Sequence, residues 1–319
     1  MAAIHDKFNG LFIPYVTPFN QDGSLDSDSL TRLTKHFAAL PGVAGLVSCA
    51  RIGESPVLSI QEKRQVYEVC GKIARDAGKV HIATIAPQST DEAVALMNDL
   101  ENLAVDGVMI FPPLLFCWGK VDNNLKVRFF EDLARETKIP VVLFQIPVKS
   151  YYYDPDTICR IARLENVIAF KEASFDINLF TDTVKQLEHD KAEMRVLTGN
   201  DRFVAESYQL GANGALIGVA NVATEKWAAL DFAGRAGKFD EAFRIQKELE
   251  SVKELVFDEP IVEAVARIKA VLNYEGLIKT AVVRRPQLGI SEAEKKQLLE
   301  SYLALKNNEF RPQSAHQAA

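Results

Sequence analysis

The stretch Val167-Ile168-Ala169-Phe170-Lys171-Glu172-Ala173-Ser174 places a lysine directly after a short apolar run. The run is typical of a buried strand, so we expect Lys171 at the carboxyl end of that strand. Apolar surroundings disfavour an ammonium group and lower the pKa of a lysine. A neutral lysine amine attacks carbonyl carbons and forms Schiff bases. The alternative is a lysine that reaches solvent from the strand end or pairs with Glu172.

Similar short apolar segments recur along the chain and alternate with amphipathic helical segments. The predicted strands are 11–16, 45–48, 80–85, 107–111, 141–145, 167–171, 195–198 and 214–217. Two of the helices between them open with a capping box, in which Ser59 precedes Glu62 and Ser89 precedes Glu92. Eight regular β–α units predict an α/β fold, a (β/α)8 TIM barrel. A doubly wound open sheet is the alternative, but no G-x-G-x-x-G motif follows the first strand.

The pattern changes after residue 236, where only helical segments follow, at 239–257, 261–275 and 291–305. We therefore predict a barrel over residues 1–236 and a C-terminal helical extension, packed on the barrel, over residues 237–306. The polar tail 307–319 is predicted to be disordered.

Composition excludes several classes of protein. The 319 residues are 48% hydrophobic and 25% charged, as in ordinary globular proteins. A net charge of -6 without a Lys/Arg block argues against nucleic-acid binding. No apolar run approaches the ~20 residues that span a bilayer, and the N-terminus lacks a signal peptide's apolar core. The four cysteines are scattered, which favours reduced thiols and a cytoplasmic protein. The histidines are isolated, so no metal site is predicted.

Enzymes with this fold carry their active sites at the carboxyl ends of the strands. Two cations stand there as candidates for binding an anionic substrate, Arg51 after the second strand and Lys149 after the fifth. Arg51 would form a forked contact with a carboxylate. Its alternative role is an ion pair with Glu54 or Asp201, and the alternative for Lys149 is a solvated loop residue.

Other side chains near the strand ends have acid–base chemistry. Glu54 and Glu172 are candidate acids or bases, or else structural partners of a cation or a backbone amide. The run Tyr151-Tyr152-Tyr153 is typical of packing at a helix entrance or of a subunit contact, although a phenol also carries protons.

These motifs together resemble the dihydrodipicolinate synthase / N-acetylneuraminate lyase family of class I, Schiff-base aldolases. The resemblance spans about residues 8 to 305 and rests on ordered motifs. They are Thr17-Pro18-Phe19, Gly53-Glu54-Ser55-Pro56, Lys171-Glu172-Ala173-Ser174, Thr198-Gly199-Asn200-Asp201 and the segment from Gly214 to Ala223. It implies that Lys171 forms an imine with pyruvate or another 2-oxo acid, without a separate cofactor. It also implies a homo-oligomer, a tetramer or a dimer.

The chain departs from the family's pattern at seven positions. The family's Gly-Thr-Thr-Gly-Glu is here Ala50-Arg51-Ile52-Gly53-Glu54, and its Tyr-Asn-x-Pro is here Phe144-Gln145-Ile146-Pro147. Leu115 stands where the synthases carry a second tyrosine, and Lys149 where they carry an arginine. The resemblance therefore implies that the nucleophile is kept and that the tyrosine proton relay, centred on Phe144, is lost.

The sequence predicts a lyase, either an aldolase or a dehydratase, that acts on a 2-oxo acid. An aldolase would also take an aldehyde as its second substrate. We expect Arg51, with the backbone around Ile52 and Gly53, to hold the carboxylate, and Gly218 to line the site. Water, Lys149, a tyrosine of the 151–153 run or the substrate's own carboxylate would carry the proton. Two alternatives remain: a 2-oxo-acid-binding barrel with little turnover, and a dihydrodipicolinate synthase with a rebuilt relay.

Overall fold

The computed structural model of the protein describes residues 2–119 and 121–307. Within them, eight parallel strands pair in chain order, and the first strand pairs with the eighth to close a barrel. The strands are β1 (Gly10–Pro14), β2 (Val43–Ser48), β3 (Val80–Ile85), β4 (Gly107–Ile110), β5 (Val141–Gln145), β6 (Val167–Glu172), β7 (Arg195–Thr198) and β8 (Gly214–Leu216). The predicted (β/α)8 barrel is confirmed, and the open-sheet alternative is wrong.

A helix follows each strand, and three further helices form the C-terminal extension. The helices are α1 (Ala2–His5), α2 (Ser27–Ala39), α3 (Ile60–Asp76), α4 (Thr90–Leu100), α5 (Asn123–Glu136), α6 (Pro155–Ala162), α7 (Ile177–His189), α8 (Val204–Gln209), α9 (Thr224–Arg235), α10 (Phe239–Val256), α11 (Ala264–Tyr274) and α12 (Glu292–Asn307). The division at residue 236 stays a prediction. Helix α12 includes Asn307, the first residue of the predicted tail, and residues 308–319 lie outside the described part. No described helix is long and apolar enough to cross a membrane.

The two capping boxes form to different extents. At α3, Glu62 N–H donates to Ser59 Oγ and Ser59 N–H donates to the Glu62 carboxylate, so this box is complete. At α4, Glu92 N–H donates to Ser89 Oγ at 3.1 Å. The Glu92 carboxylate, however, accepts from Gln88 N–H at 2.7 Å instead. The second box is therefore only half formed, because a neighbouring amide takes the carboxylate.

The N-terminal end of the barrel is closed by a short segment that the sequence analysis did not predict. Phe8, which follows α1, is fully buried and stacks on Phe12 of β1 at a ring distance of 6.1 Å. His5 Nδ1 lies 3.1 Å from the carbonyl oxygen of Ile168 on β6. Phe8 and Phe12 thus close this end of the barrel with apolar side chains, and the opening lies at the opposite end, where the strands have their carboxyl termini.

The extension is joined to the barrel by a fully buried ion pair. Lys269 of α11 pairs with Glu54 in the loop after β2, and neither side chain is exposed. Lys269 Nζ also donates to the Val282 carbonyl at 2.8 Å, and Arg284 N–H donates to Glu54 at 3.0 Å. Burial lowers the pKa of Lys269 to about 8, and the Glu54 carboxylate opposes that shift. The structural alternative for Glu54, a partner for a cation and an amide, is therefore the correct one.

Removing one member of this pair should destabilise the fold strongly. The variant Lys269→Met leaves the Glu54 carboxylate buried without its cation, which typically costs about 3–5 kcal/mol. We expect a loss of that size in the free energy of unfolding, measured by urea denaturation. The control is Glu68→Gln, which breaks the exposed Arg64–Glu68 pair on α3 and should cost less than about 1 kcal/mol. Equal stability of the two variants would contradict a linking role for the buried pair.

Candidate active site

Lys171 lies at the carboxyl end of β6 and points into the barrel. It pairs in register with Phe144 on β5, and alternate strand residues point to opposite faces, so both side chains face inward. Lys171 Nζ lies 4.2 Å from the centre of the Phe144 ring, which in turn packs edge-on against Phe111 at 5.1 Å. The lysine is only 9% exposed. Its amine therefore sits against an aromatic wall rather than in solvent.

The electrostatic environment of Lys171 favours the neutral amine. Burial lowers its pKa to about 7; Asp201 raises the pKa against this shift and Arg51 lowers it further. In the described part of the chain, Lys171 makes no ion pair within 4.0 Å. The alternatives in which it reaches solvent or pairs with Glu172 are therefore wrong. A large fraction of the amine is nucleophilic near neutral pH.

Gly199, the first residue after β7, has no side chain and so leaves space for the side chain of Lys171. A Cβ atom at this position would lie 2.9 Å from Lys171 Cε and 2.7 Å from Ala173 Cβ. Both distances are too short, so a larger residue would displace the lysine. The sequence analysis assigned Gly199 no role, although its place directly after a strand was a signal for one.

The loop after β2 forms a tight turn that holds Ile52 and Gly53. It starts at Cys49 and ends at Glu54, both in the left-handed backbone region with φ 54°. Thr17 Oγ1 donates to the Gly53 carbonyl at 2.7 Å and fixes the turn against the loop after β1. Among the described residues, the amides of Ile52 and Gly53 find no hydrogen-bond acceptor. Successive free amides in a turn are a typical way to bind an anion.

Arg51 belongs to the same turn, and its side chain is available to bind a ligand. Its side chain is exposed at the mouth, yet enough protein surrounds the guanidinium for desolvation to lower its pKa, with Asp201 opposing. It has no ion-pair partner within 4.0 Å in the part of the chain that the structure describes. Glu54, one proposed partner, is already bound to Lys269. The ion-pair alternative for Arg51 is therefore wrong.

Gly218 and Ile52 meet at the end of β8. A Cβ on Gly218 would lie 2.9 Å from Ile52 Cγ1 and 3.1 Å from Phe257 Cζ. Ile52 is 4% exposed, and Phe257 caps the C-terminus of α10. One wall of the barrel mouth thus combines the β2 turn, the end of β8 and the helical extension, which only the folded chain brings together.

Lys149 is placed differently from Arg51. It begins an exposed 3-10 turn, Lys149–Tyr151, after β5. The described residues give its side chain neither a hydrogen bond nor an ion pair. In the single chain, Lys149 is therefore a solvated loop residue, which was its alternative role.

The hydroxyls of the tyrosine run are already occupied or enclosed. Tyr152 Oη donates to the Ser174 carbonyl at 2.7 Å. Tyr153 is fully buried directly before α6, and Tyr151 is half-buried beside Cys117. Burial raises the pKa of all three phenols. The run packs at a helix entrance, as the structural alternative predicted.

Glu172 faces away from Lys171, toward the layer of helices. Its carboxylate accepts from Asn200 Nδ2 at 2.6 Å, Gln145 Nε2 at 3.2 Å and Ser174 N–H at 3.1 Å. Burial raises its pKa, and these hydrogen bonds oppose the shift. Glu172 therefore ties the ends of β5, β6 and β7 together.

Asp201 is the acidic group whose charge acts on both Lys171 and Arg51. It is 5% exposed, and its Oδ1 accepts from Val219 N–H at 3.0 Å. It also lines a cavity of about 720 Å³ between the barrel mouth and helices α10 and α12. The sequence analysis considered it only as a partner for Arg51. Its position directly after β7, at the carboxyl end of the barrel, was the sequence feature that could have identified it as a site residue.

A parallel (β/α)8 barrel with a desolvated lysine at the end of a strand fits a lyase of the class I aldolase type. Within the described ranges, no group of three or more His, Cys, Asp or Glu side chains is arranged to hold a metal ion. The absence of a cofactor stays a prediction.

The chain belongs to the dihydrodipicolinate synthetase family, whose model matches residues 7–304. It is 28% identical over 293 residues to 4-hydroxy-tetrahydrodipicolinate synthase 2 of Clostridium acetobutylicum, covering 92% of this chain and 98% of that protein. It is 32% identical over 288 residues to the 4-hydroxy-tetrahydrodipicolinate synthase of Laribacter hongkongensis, covering 89% and 94%. The crystal structure of dihydrodipicolinate synthase from Thermotoga maritima superposes with a TM-score of 0.86 at 25% identity, covering 94% of this chain and 99% of that chain.

The reactivity of Lys171 should rise with pH through about 7. Below that pH the group is an inert ammonium, and above it a neutral amine, because burial lowers its pKa to about 7. Competitive labelling with trace acetic anhydride, followed by peptide mass spectrometry, measures this profile. The same peptide labelled in urea is the control and should follow the ordinary lysine value of about 10.4. A folded-state profile that rises only above pH 9 would contradict the site as described.

Proposed function

We propose that the protein is a lyase, of the aldolase or dehydratase type, that acts on pyruvate or another 2-oxo acid through an imine on Lys171. The observation that carries this proposal is the placement of Lys171, buried against Phe144 with a pKa of about 7 at the open end of the barrel. Membership of a family with relatives named as synthases supports it.

The chemistry follows from a neutral amine beside a site for an anion. Lys171 Nζ attacks the ketone carbon and gives a carbinolamine, which loses water to form an iminium. The iminium accepts the electron pair when a C–C bond breaks, or when C3 loses a proton before a β-hydroxyl leaves. The covalent imine is the electron sink, so the proposed reaction uses no separate cofactor. Arg51 and the amides of Ile52 and Gly53 would hold the carboxylate.

Phe144 limits which reaction the site performs well. Its ring lies directly over Lys171 and has no hydroxyl to carry a proton. General acid–base catalysis is typically worth about 10²–10⁴-fold. We therefore propose that the protein is not an efficient dihydrodipicolinate synthase with pyruvate and aspartate semialdehyde.

A second candidate function is a synthase that has rebuilt its proton relay. The names of the relatives favour it, since both sequence relatives described above are 4-hydroxy-tetrahydrodipicolinate synthases. A 2-oxo-acid-binding barrel with little turnover is the third possibility and becomes an outcome of the test below.

We also propose that the protein works as a homo-oligomer in the cytoplasm. Large apolar side chains support an assembly, because Leu115 and Trp118 after β4 are 58% and 73% exposed. Exposed apolar groups that lie close together commonly mark protein–protein contacts.

Borohydride reduction in the presence of pyruvate tests the proposed function. We expect a reduced pyruvyl adduct on Lys171 by peptide mass spectrometry, and none in Lys171→Ala. Synthase turnover, assayed beside the Laribacter hongkongensis enzyme, should be lower by about 10²-fold or more. A comparable synthase rate would establish the second candidate. No adduct with pyruvate or longer 2-oxo acids would overturn the lyase proposal and favour the binding protein.

Arg51 and Lys149 should differ in their contribution to substrate binding. A lost hydrogen bond to a charged group costs about 1.5–3 kcal/mol, so Arg51→Gln should raise the pyruvate concentration for half-maximal trapping by about 10-fold or more. Lys149→Gln should change it less than about 2-fold, because that side chain is solvated. The measurement is made at pH 9, because Arg51 also lowers the pKa of Lys171. Equal effects of the two variants would show that the β2 turn does not select the carboxylate.

A further inference from the structure

We propose that Asp201 is the general acid and base of the Lys171 site and carries the protons that Phe144 cannot. This inference rests on the proposed imine chemistry. It assigns a catalytic role to a side chain that the resemblance left without one.

The carboxylate of Asp201 is held in place by a hydrogen bond to one of its oxygens. It follows β7, while the Val219 amide that donates to its Oδ1 at 3.0 Å follows β8, so the group is fixed across the ends of two strands. No other described residue donates a hydrogen bond to this carboxylate, although the Asp201 backbone amide also lowers its pKa. Asp201 is 5% exposed and lines the cavity beside the barrel mouth, so protons from solvent can reach its carboxyl group.

The placement relative to Lys171 suits a reacting substrate. Gly199, two residues before Asp201, contacts Lys171, and the charge of Asp201 acts on the amine. The two charged groups nevertheless lie beyond the 4.0 Å of a direct ion pair. A general acid must lie near the substrate rather than bind the nucleophile, and catalytic contacts often tighten only in the complex.

Three other proton carriers near the strand ends, Glu172, Tyr152 and Thr198, are already hydrogen-bonded. The Glu172 carboxylate faces the helices and accepts three hydrogen bonds. Tyr152 Oη donates to a backbone carbonyl, and the Thr198 hydroxyl is hydrogen-bonded to Ser207 at 2.8 Å. The Asp201 carboxylate, in contrast, accepts a hydrogen bond from the Val219 amide, and its charge acts on Lys171.

The environment also moves Asp201 toward the working range of an acid–base group. Burial raises its pKa, while the Val219 amide, Lys171 and Arg51 oppose the shift. The carboxyl is thus easier to protonate than an ordinary aspartate. Acids and bases in active sites commonly owe their function to such shifts.

The proton transfers balance within the site. Protonated Asp201 gives its proton to the carbinolamine hydroxyl, the C–O bond breaks, water leaves, and the nitrogen lone pair forms the C=N bond. The Asp201 carboxylate then removes a C3 proton. The C–H electron pair forms the C=C bond, the C=N pair returns to nitrogen, and an enamine results with Asp201 protonated again.

Exchange of the pyruvate methyl protons with D2O tests this role, because exchange requires the enamine. At pH 8, Asp201→Asn should still give the borohydride adduct on Lys171, while methyl exchange followed by NMR should fall by about 10²-fold or more. Asp201→Glu, which keeps the carboxyl group, should restore part of the exchange. The control is Glu254→Gln, which changes another acid of the same cavity and should stay within about 2-fold of wild type.

A purely structural role for Asp201 would leave methyl exchange in a folded Asp201→Asn variant close to that of wild type. The carboxylate raises the pKa of Lys171, so Asp201→Asn should also move the Lys171 labelling profile to lower pH. If Asp201→Asn does not fold, Asp201→Ser, whose hydroxyl still accepts a hydrogen bond, should show the same loss of exchange.

The outcomes separate the two proposals. If wild type forms the adduct and Asp201→Asn or Asp201→Ser exchanges protons within about 3-fold of wild type, the role of Asp201 is overturned while the imine chemistry stands. If wild type forms no adduct with any 2-oxo acid, the proposed function fails, and with it the role of Asp201.

Discussion

Closure of the parallel barrel is the constraint on which the candidate site depends. Closure brings the carboxyl ends of β2, β6, β7 and β8 around one opening, and strand alternation directs Lys171 and Phe144 inward. An open sheet would leave the lysine at an edge accessible to water. In the barrel its amine lies against an aromatic ring, and desolvation lowers its pKa to about 7. Nucleophilicity is therefore a consequence of the architecture.

The buried pair of Glu54 and Lys269 connects stability with the site. Glu54 ends the turn that contains Arg51, and its partner belongs to the helical extension. The same turn is held from the other side by Thr17. Because Glu54 pairs with the extension, it does not pair with the guanidinium three residues earlier, which stays available to a substrate. The extension thus positions the proposed anion-binding turn as well as covering the barrel.

Three charged groups around the opening influence one another without forming direct pairs. Arg51 lowers the pKa of Lys171, Asp201 raises it, and both cations oppose the raised pKa of Asp201. Direct ion pairs would fix the lysine as an ammonium and the aspartate as a carboxylate. Separation by more than ion-pair distance leaves both groups able to change their protonation state. Such a balance suits a reaction in which an amine attacks and a proton then moves.

The sequence by itself determined the eight strands, three of them with the observed bounds (80–85, 141–145 and 195–198), and the lysine at the end of the sixth. These features come from local periodicity, which neighbouring residues encode. Tertiary structure alone decided which polar groups meet. Glu54 and Lys269 are 215 residues apart, and Asp201 meets the Val219 amide only because β7 and β8 pair. Whether Arg51 is paired or free, and which acid faces Lys171, depends on such distant partners, because electrostatic contacts follow distance in space and carry no periodic signal along the chain.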